Sequence, residues 1–175
     1  MKRLLATALT FSVLMIIPQA SAATCPAESF IQDAGAAFMG AARSGSAGAF
    51  TGAASRYADL HGIALFALGP YRKNLPRSRE GEYVALAKKF MGQFMAEYAS
   101  SFSGTSIKIT KCAGNTVSTR LSSGQTLTFR LQGARRIADV SVSGVWLAQT
   151  MRSRFTGVIR NNNGDVGALM SWLGN

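Results

Sequence analysis

The chain has 175 residues, 47% of them hydrophobic, with 19 Lys and Arg against 8 Asp and Glu, two cysteines and one histidine. One histidine rules out a multi-histidine metal site, and two cysteines with no nearby histidine are too few for a structural zinc. The net charge of +11 suits anionic lipid headgroups or acidic protein surfaces, and a plain solubility surface accounts for it equally well.

Residues 1–22, MKRLLATALTFSVLMIIPQASA, read as a secretory signal. Lys2 and Arg3 form its basic start, a nearly unbroken apolar stretch follows, and Ala20, Ser21 and Ala22 give the small-x-small spacing of a cleavage site. A membrane anchor is the alternative, but the apolar run is short of the ~20 residues a spanning helix needs and no second run follows. Thr24 before Cys25 excludes a lipoprotein signal, which needs a smaller residue there. Residues 23–175 then form one exported domain, and an exported protein seldom meets nucleic acid. Export to an oxidising compartment favours a single disulfide between Cys25 and Cys112 over two free thiols.

A first helix is expected over residues 26–42, where Phe30, Ile31, Ala34, Ala37, Phe38 and Ala41 recur at helical spacing. Its small residues allow close approach by a neighbour. A second helix is expected over 50–58 and a third over 59–68, stopped at Gly69-Pro70 because proline disfavours helical geometry in the residue before it. Residues 79–102 carry the strongest signal in the chain: Tyr83, Leu86, Ala87, Phe90, Met91, Phe94, Tyr98 and Phe102 lie three or four apart, the pattern of a long amphipathic helix.

After Gly104 the period changes from 3.6 to 2. Residues 106–111 (SIKITK), 116–121 (TVSTRL), 126–131 (TLTFRL) and 136–143 (RIADVSVS) are β-branched runs separated by turn signals. Ile107 and Ile109, then Leu127, Phe129 and Leu131, then Ile137 line one face, with Val140 and Val142 resuming on the same side after a break. The expected result is a four-stranded antiparallel meander whose apolar face is covered by helices. A further helix starts near Val145, with Trp146, Leu147, Met151, Phe155, Val158 and Ile159 inward and Arg152, Arg154 and Arg160 toward solvent. Asp165 is placed to cap a last short helix, DVGALMSWL. Helices, strands, then helices make an α+β fold.

Catalytic signatures are lacking. The chain has no G-x-S-x-G elbow, no H-E-x-x-H pair, no P-loop and no Gly-rich dinucleotide fingerprint. Asp59 and His61 are two apart, so on a helix their side chains diverge by about 200° and share no proton. Glu80 and Glu82 open a helix, where negative charge suits its dipole. The chain reads as a non-enzyme without cofactor or metal.

Taken together, residues 59–72 (DLHGIALFALGPYR), Tyr83, the aromatic helix from Phe90 to Tyr98, and Ser103-Gly104 before a strand resemble the MlaC family of periplasmic phospholipid carriers, also called the toluene-tolerance family. A second stretch agrees with it: IADVSVSGVWL at 137–147, MRSRF at 151–155, Gly164-Asp165, Leu169 and Leu173. The sequence departs from the family at Arg135-Arg136, where a Trp is usual, and at Trp146, where many members have Ser. It is also shortened relative to the family between Phe50 and Asp59. A hopanoid-associated branch shares the same pattern.

The resemblance implies a sheet like that of nuclear transport factor 2, with acyl chains held in a cavity between sheet and helices. It implies a monomer that shuttles phospholipid between an outer-membrane lipoprotein complex and the substrate-binding component of an inner-membrane ABC transporter. Periodicity combined with that fold assigns the tails to Phe66, Phe90, Phe94, Tyr98, Phe129, Val140, Val142, Trp146 and Phe155, and a charged rim to Arg72. Ala34, Ala37 and Ala41 would leave room, and Met39, Met91, Met95, Met151 and Met170 suit an adaptable lining, although an adaptable solid core has the same composition. The competing readings are a small cavity enzyme with Asp59 or Asp139 as buried base, and a basic interaction module with a solid core.

Overall fold

A computed structural model describes residues 25–102, 106–133 and 135–175. The signal segment at 1–22 and the Ser103-Gly104 pair lie outside the described residues. Helix α1 (Glu28–Ser44), α2 (Ala47–Tyr57) and α3 (Leu60–Ala67) come first, followed by two 3-10 turns, Gly69–Asn74 and Arg77–Arg79. Then come α4 (Glu80–Glu97) and α5 (Ala99–Phe102), the strands β1 (Ile107–Ala113), β2 (Thr116–Leu121), β3 (Thr126–Leu131), β4 (Ile137–Val142) and β5 (Val145–Trp146), and finally α6 (Leu147–Asn161) and α7 (Val166–Gly174). The strands form one antiparallel sheet in sequence order, and the α+β expectation holds.

Capping sets several boundaries. Ser46 Oγ accepts from the Ala49 N–H, so α2 starts before the first apolar repeat at Phe50. Asp59 Oδ1 accepts from the Gly62 N–H at 3.0 Å and starts α3. Asp165 accepts from the N–H groups of Gly167 and Ala168 and caps α7. Gly69 ends α3 with φ of +56°, a conformation that glycine adopts without the Cβ penalty. The helix expected over 79–102 is broken at Tyr98, which leaves the helical path, and α5 follows as a separate turn.

The sheet has five strands rather than the expected four. Ser143 and Gly144 both take positive φ, 49° and 90°, as a tight two-residue hairpin requires. That turn folds Val145-Trp146 back onto β4, pairing Val142 with Val145 and Ser141 with Trp146. Helix α6 therefore begins at Leu147, later than its apolar pattern suggests.

Two irregularities keep the apolar residues on one face. On β4 the pairing slips between Arg130/Asp139 and Leu131/Ile137, so Ala138 is an extra residue. Ile137 would otherwise face away from Val140 and Val142, and the bulge restores a common side. A second slip, between Ile109 and Lys111 of β1, brings Cys112 inward, where it is bonded to Cys25. Helices α3, α4, α6 and α7 pack into a core containing the fully buried Leu68, Tyr83, Phe155, Ile159 and Leu169. The Tyr83 hydroxyl donates to the Ala64 carbonyl at 2.6 Å.

Candidate functional site

Between the sheet and the helices lies an apolar cavity of about 370 Å³. Its floor is the inner face of the sheet, with Leu127, Phe129, Ile137, Val140 and Val142 at the centre and Ile107 and Leu121 to one side. Cross-strand pairing explains this cluster: Phe129 lies opposite Val140 and Leu127 opposite Val142, so one face presents a continuous apolar ladder. The walls come from α1 through Gly35, Phe38 and Met39, and from α4 through Met91, Gly92, Phe94, Met95 and Tyr98. Ala54, Ala58, Leu60 and Ile63 close the end at the α2–α3 junction, where Ala58 bridges to Ile137.

The cavity is open to solvent where exposed residues line it. Val145 is 64% and Tyr98 48% exposed, and both line the cavity. Arg154 stands there too, as the charged member of the lining, its guanidinium 5.2 Å from the centre of the Phe94 ring. Leu147, Thr150 and Arg154 share one face of α6 by helical spacing. The Thr150 hydroxyl is already committed to the Trp146 carbonyl at 3.0 Å. Gln125, at the start of β3, puts its Oε1 into the lining with no hydrogen-bond partner.

Of the residues assigned to the tails from sequence, Phe94, Tyr98, Phe129, Val140 and Val142 line this cavity. Phe90 and Phe155 pack edge to face at 5.3 Å and against Trp172, forming an aromatic cluster behind the wall. Phe66 lies a turn beyond the lining residues Leu60 and Ile63, 43% exposed beneath Arg152. Trp146 points to the other side of the sheet, under the Arg130 guanidinium at 4.4 Å, because strand alternation opposes it to Val145. Arg72 is exposed in the turn after α3, away from the lining. Of the methionines, Met39, Met91 and Met95 line the cavity, whereas Met151 and Met170 are buried in the core.

Sequence reading did not single out Phe38, Phe50, Gln125 or Arg154 for the site. Arg154 had a signal in the Leu147, Thr150, Arg154 spacing. Gln125 had none, since nothing in a polar turn residue reveals that its side chain turns inward.

The two aspartates considered as a base are occupied elsewhere. Asp139 is 5% exposed on the face of β4 opposite Val140, and its Oδ1 accepts from the N–H groups of Val140 at 2.9 Å and Ala148 at 3.0 Å. Burial pushes its carboxyl above the usual range, against the opposing pull of those two bonds and of Arg130. Asp59 is the cap of α3. His61 Nε2 lies 3.1 Å from Glu80 Oε1, both side chains largely exposed, so Asp59 and His61 do not pair. Neither aspartate lines the cavity. Among the described residues, no group of His, Cys, Asp and Glu could hold a metal ion, and no helix is long and apolar enough to cross a membrane.

Residues 40–174 match the family model described as MlaC protein. No curated protein sequence matches significantly. Among solved structures, the fold resembles a phospholipid-binding protein from Ralstonia solanacearum determined in complex with a phospholipid. The TM-score is 0.68 at 17% identity, over 85% of this chain and 93% of that one.

Proposed function

The chain belongs to the MlaC family, and from that membership we propose that it is a periplasmic phospholipid carrier rather than an enzyme. The observation that carries this reading is an apolar cavity open to solvent, with a cation at its mouth. Each methylene left in water costs about 0.8 kcal/mol, so an acyl chain in transit has to be enclosed along its length. The ladder of Leu127, Phe129, Val140 and Val142 facing Met91, Phe94 and Met95 supplies such an enclosure without polar competition. Methionine in that wall adapts to chains of different length and unsaturation.

In this reading the headgroup stays at the mouth, and Arg154 is the residue we assign to its phosphate, by charge-assisted hydrogen bonding. Arg72, the rim residue expected from sequence, lies in the turn after α3 and is not among the lining residues. The partners are an outer-membrane lipoprotein complex and the substrate-binding component of an inner-membrane ABC transporter, between which the loaded monomer diffuses. The enzyme alternative loses its base, since Asp59 and Asp139 both hold backbone N–H groups outside the cavity.

Organic extraction of the purified protein followed by mass spectrometry tests the proposal. Near-stoichiometric phospholipid is expected, and Phe94→Asp should lower the occupancy more than it lowers the melting temperature. An empty protein that also takes no lipid from vesicles would discard the carrier reading.

A further inference from the structure

We propose that Gln125 makes the cavity selective for lipids whose polar region carries an N–H or O–H donor. The inference rests on the carrier reading and deepens it. Gln125 is anchored through its backbone, whose carbonyl accepts from the Leu121 N–H at 2.8 Å across the β2–β3 turn. The side chain stands in the cavity lining, at the residue that precedes β3. Its Oε1 is buried and has no hydrogen-bond partner, alone in this respect among the buried side-chain atoms of the described residues.

A buried acceptor without a donor is unfavourable, and a leucine of similar size would fill the same wall without that cost. The other polar groups of the lining do not relieve it. The Thr150 hydroxyl is bonded to Trp146, the Arg154 guanidinium rests over Phe94, and Tyr98, 48% exposed, makes no hydrogen bond to Gln125 Oε1. A ligand that enters the cavity can bring that donor. Arg154 calls for an anion and Gln125 for a donor on the same molecule. An aminophospholipid such as phosphatidylethanolamine offers both, with its phosphate and its ammonium. Phosphatidylcholine offers the phosphate, but its quaternary nitrogen has no hydrogen to donate. A lysophospholipid offers a donor from a different place, the free hydroxyl of its glycerol.

The test uses the delipidated full-length mature protein, incubated with mixed vesicles of phosphatidylethanolamine, phosphatidylcholine and lysophosphatidylcholine with matched acyl chains. Loaded lipid is quantified by mass spectrometry for wild type, Gln125→Leu and Gln125→Glu. Wild type should favour phosphatidylethanolamine over phosphatidylcholine by about fivefold, the worth of one hydrogen bond. Gln125→Leu should bring that ratio close to one and melt at or above the wild-type temperature. Gln125→Glu keeps the acceptor and should keep the preference. If lysophosphatidylcholine is instead the favoured species, and Gln125→Leu abolishes that advantage, the donor is the glycerol hydroxyl and the proposal stands with that source. Identical lipid ratios in wild type and Gln125→Leu would overturn it while leaving the carrier reading intact. Failure of all three proteins to load any lipid would overturn both.

Discussion

Asp139 shows how a carboxylate can be buried in this fold without being catalytic. Its Oδ1 ties the second residue of α6 to β4 through the Ala148 N–H, fixing where that helix leaves the sheet. Burial raises its pKa, so the folded chain binds this proton more tightly than the unfolded chain does. Its ionisation therefore costs stability, progressively, as pH rises from the ordinary aspartate value of about 4 through the raised folded value. Asp139→Asn keeps an oxygen acceptor for both N–H groups and removes the charge. The variant should match wild type in melting temperature at the acidic end of that window and exceed it at neutral pH. Asp139→Ala abandons one buried and one partly buried donor and should lose about 1–3 kcal/mol at every pH. Melting curves across pH decide the matter: an Asn variant that is weaker at neutral pH would mean that the ionised form, facing Arg130, is the favoured one.

The elements show where amino-acid pattern translates into structure and where it stops. Alternation located the four main strands, and the interrupted sense of Ile137, Val140 and Val142 was already visible as a break; the bulge at Ala138 is its backbone cause. Strand β5 was not legible, because two residues are too few to show a period and Val145-Trp146 also continues the apolar pattern of α6. The aromatic stripe of α4 was read correctly as apolar, but its rotation was not. Phe94 and Tyr98 turn to the cavity and Phe90 to Phe155 and Trp172, since the helix is wide enough to serve two neighbours. A third neighbour, α2, is set by Gly92. A Cβ there would meet the Ala47 carbonyl at 2.6 Å and the Thr51 hydroxyl closer still. Alanine is intrinsically the better helix former by up to about 1 kcal/mol, yet Gly92→Ala should destabilise the protein by about 1–3 kcal/mol through overpacking. The expected signature is a lower urea midpoint at unchanged slope; a raised midpoint would mean that α2 and α4 separate freely.

At the scale of the whole molecule, the cavity is an assembly of segments distant in sequence, which is why periodicity nominated apolar faces without assigning which of them enclose space. Helix α1 contributes Gly35, Phe38 and Met39 to the wall, and the Cys25–Cys112 disulfide, across 87 residues, ties its start to β1. Closing a loop of that length limits the unfolded chain and is worth roughly 2–4 kcal/mol. Replacing both cysteines by serine should then lower the melting temperature by roughly 5–15 °C. The bond has a second consequence because of what it tethers. Gly35 packs on Ile107 of β1, and Ile31 and Ala34 are fully buried, so α1 keeps its place in the native state by packing even without the bond. The tether restricts how far the start of α1 can move from β1, and Gly35, Phe38 and Met39 of α1 wall the cavity. The reduced or Cys→Ser protein should hold the same lipids at low temperature but release them faster to acceptor vesicles, in advance of global unfolding. Transfer rates that remain equal to wild type well below the melting transition would locate the exit at the mouth near Tyr98, Val145 and Arg154 alone.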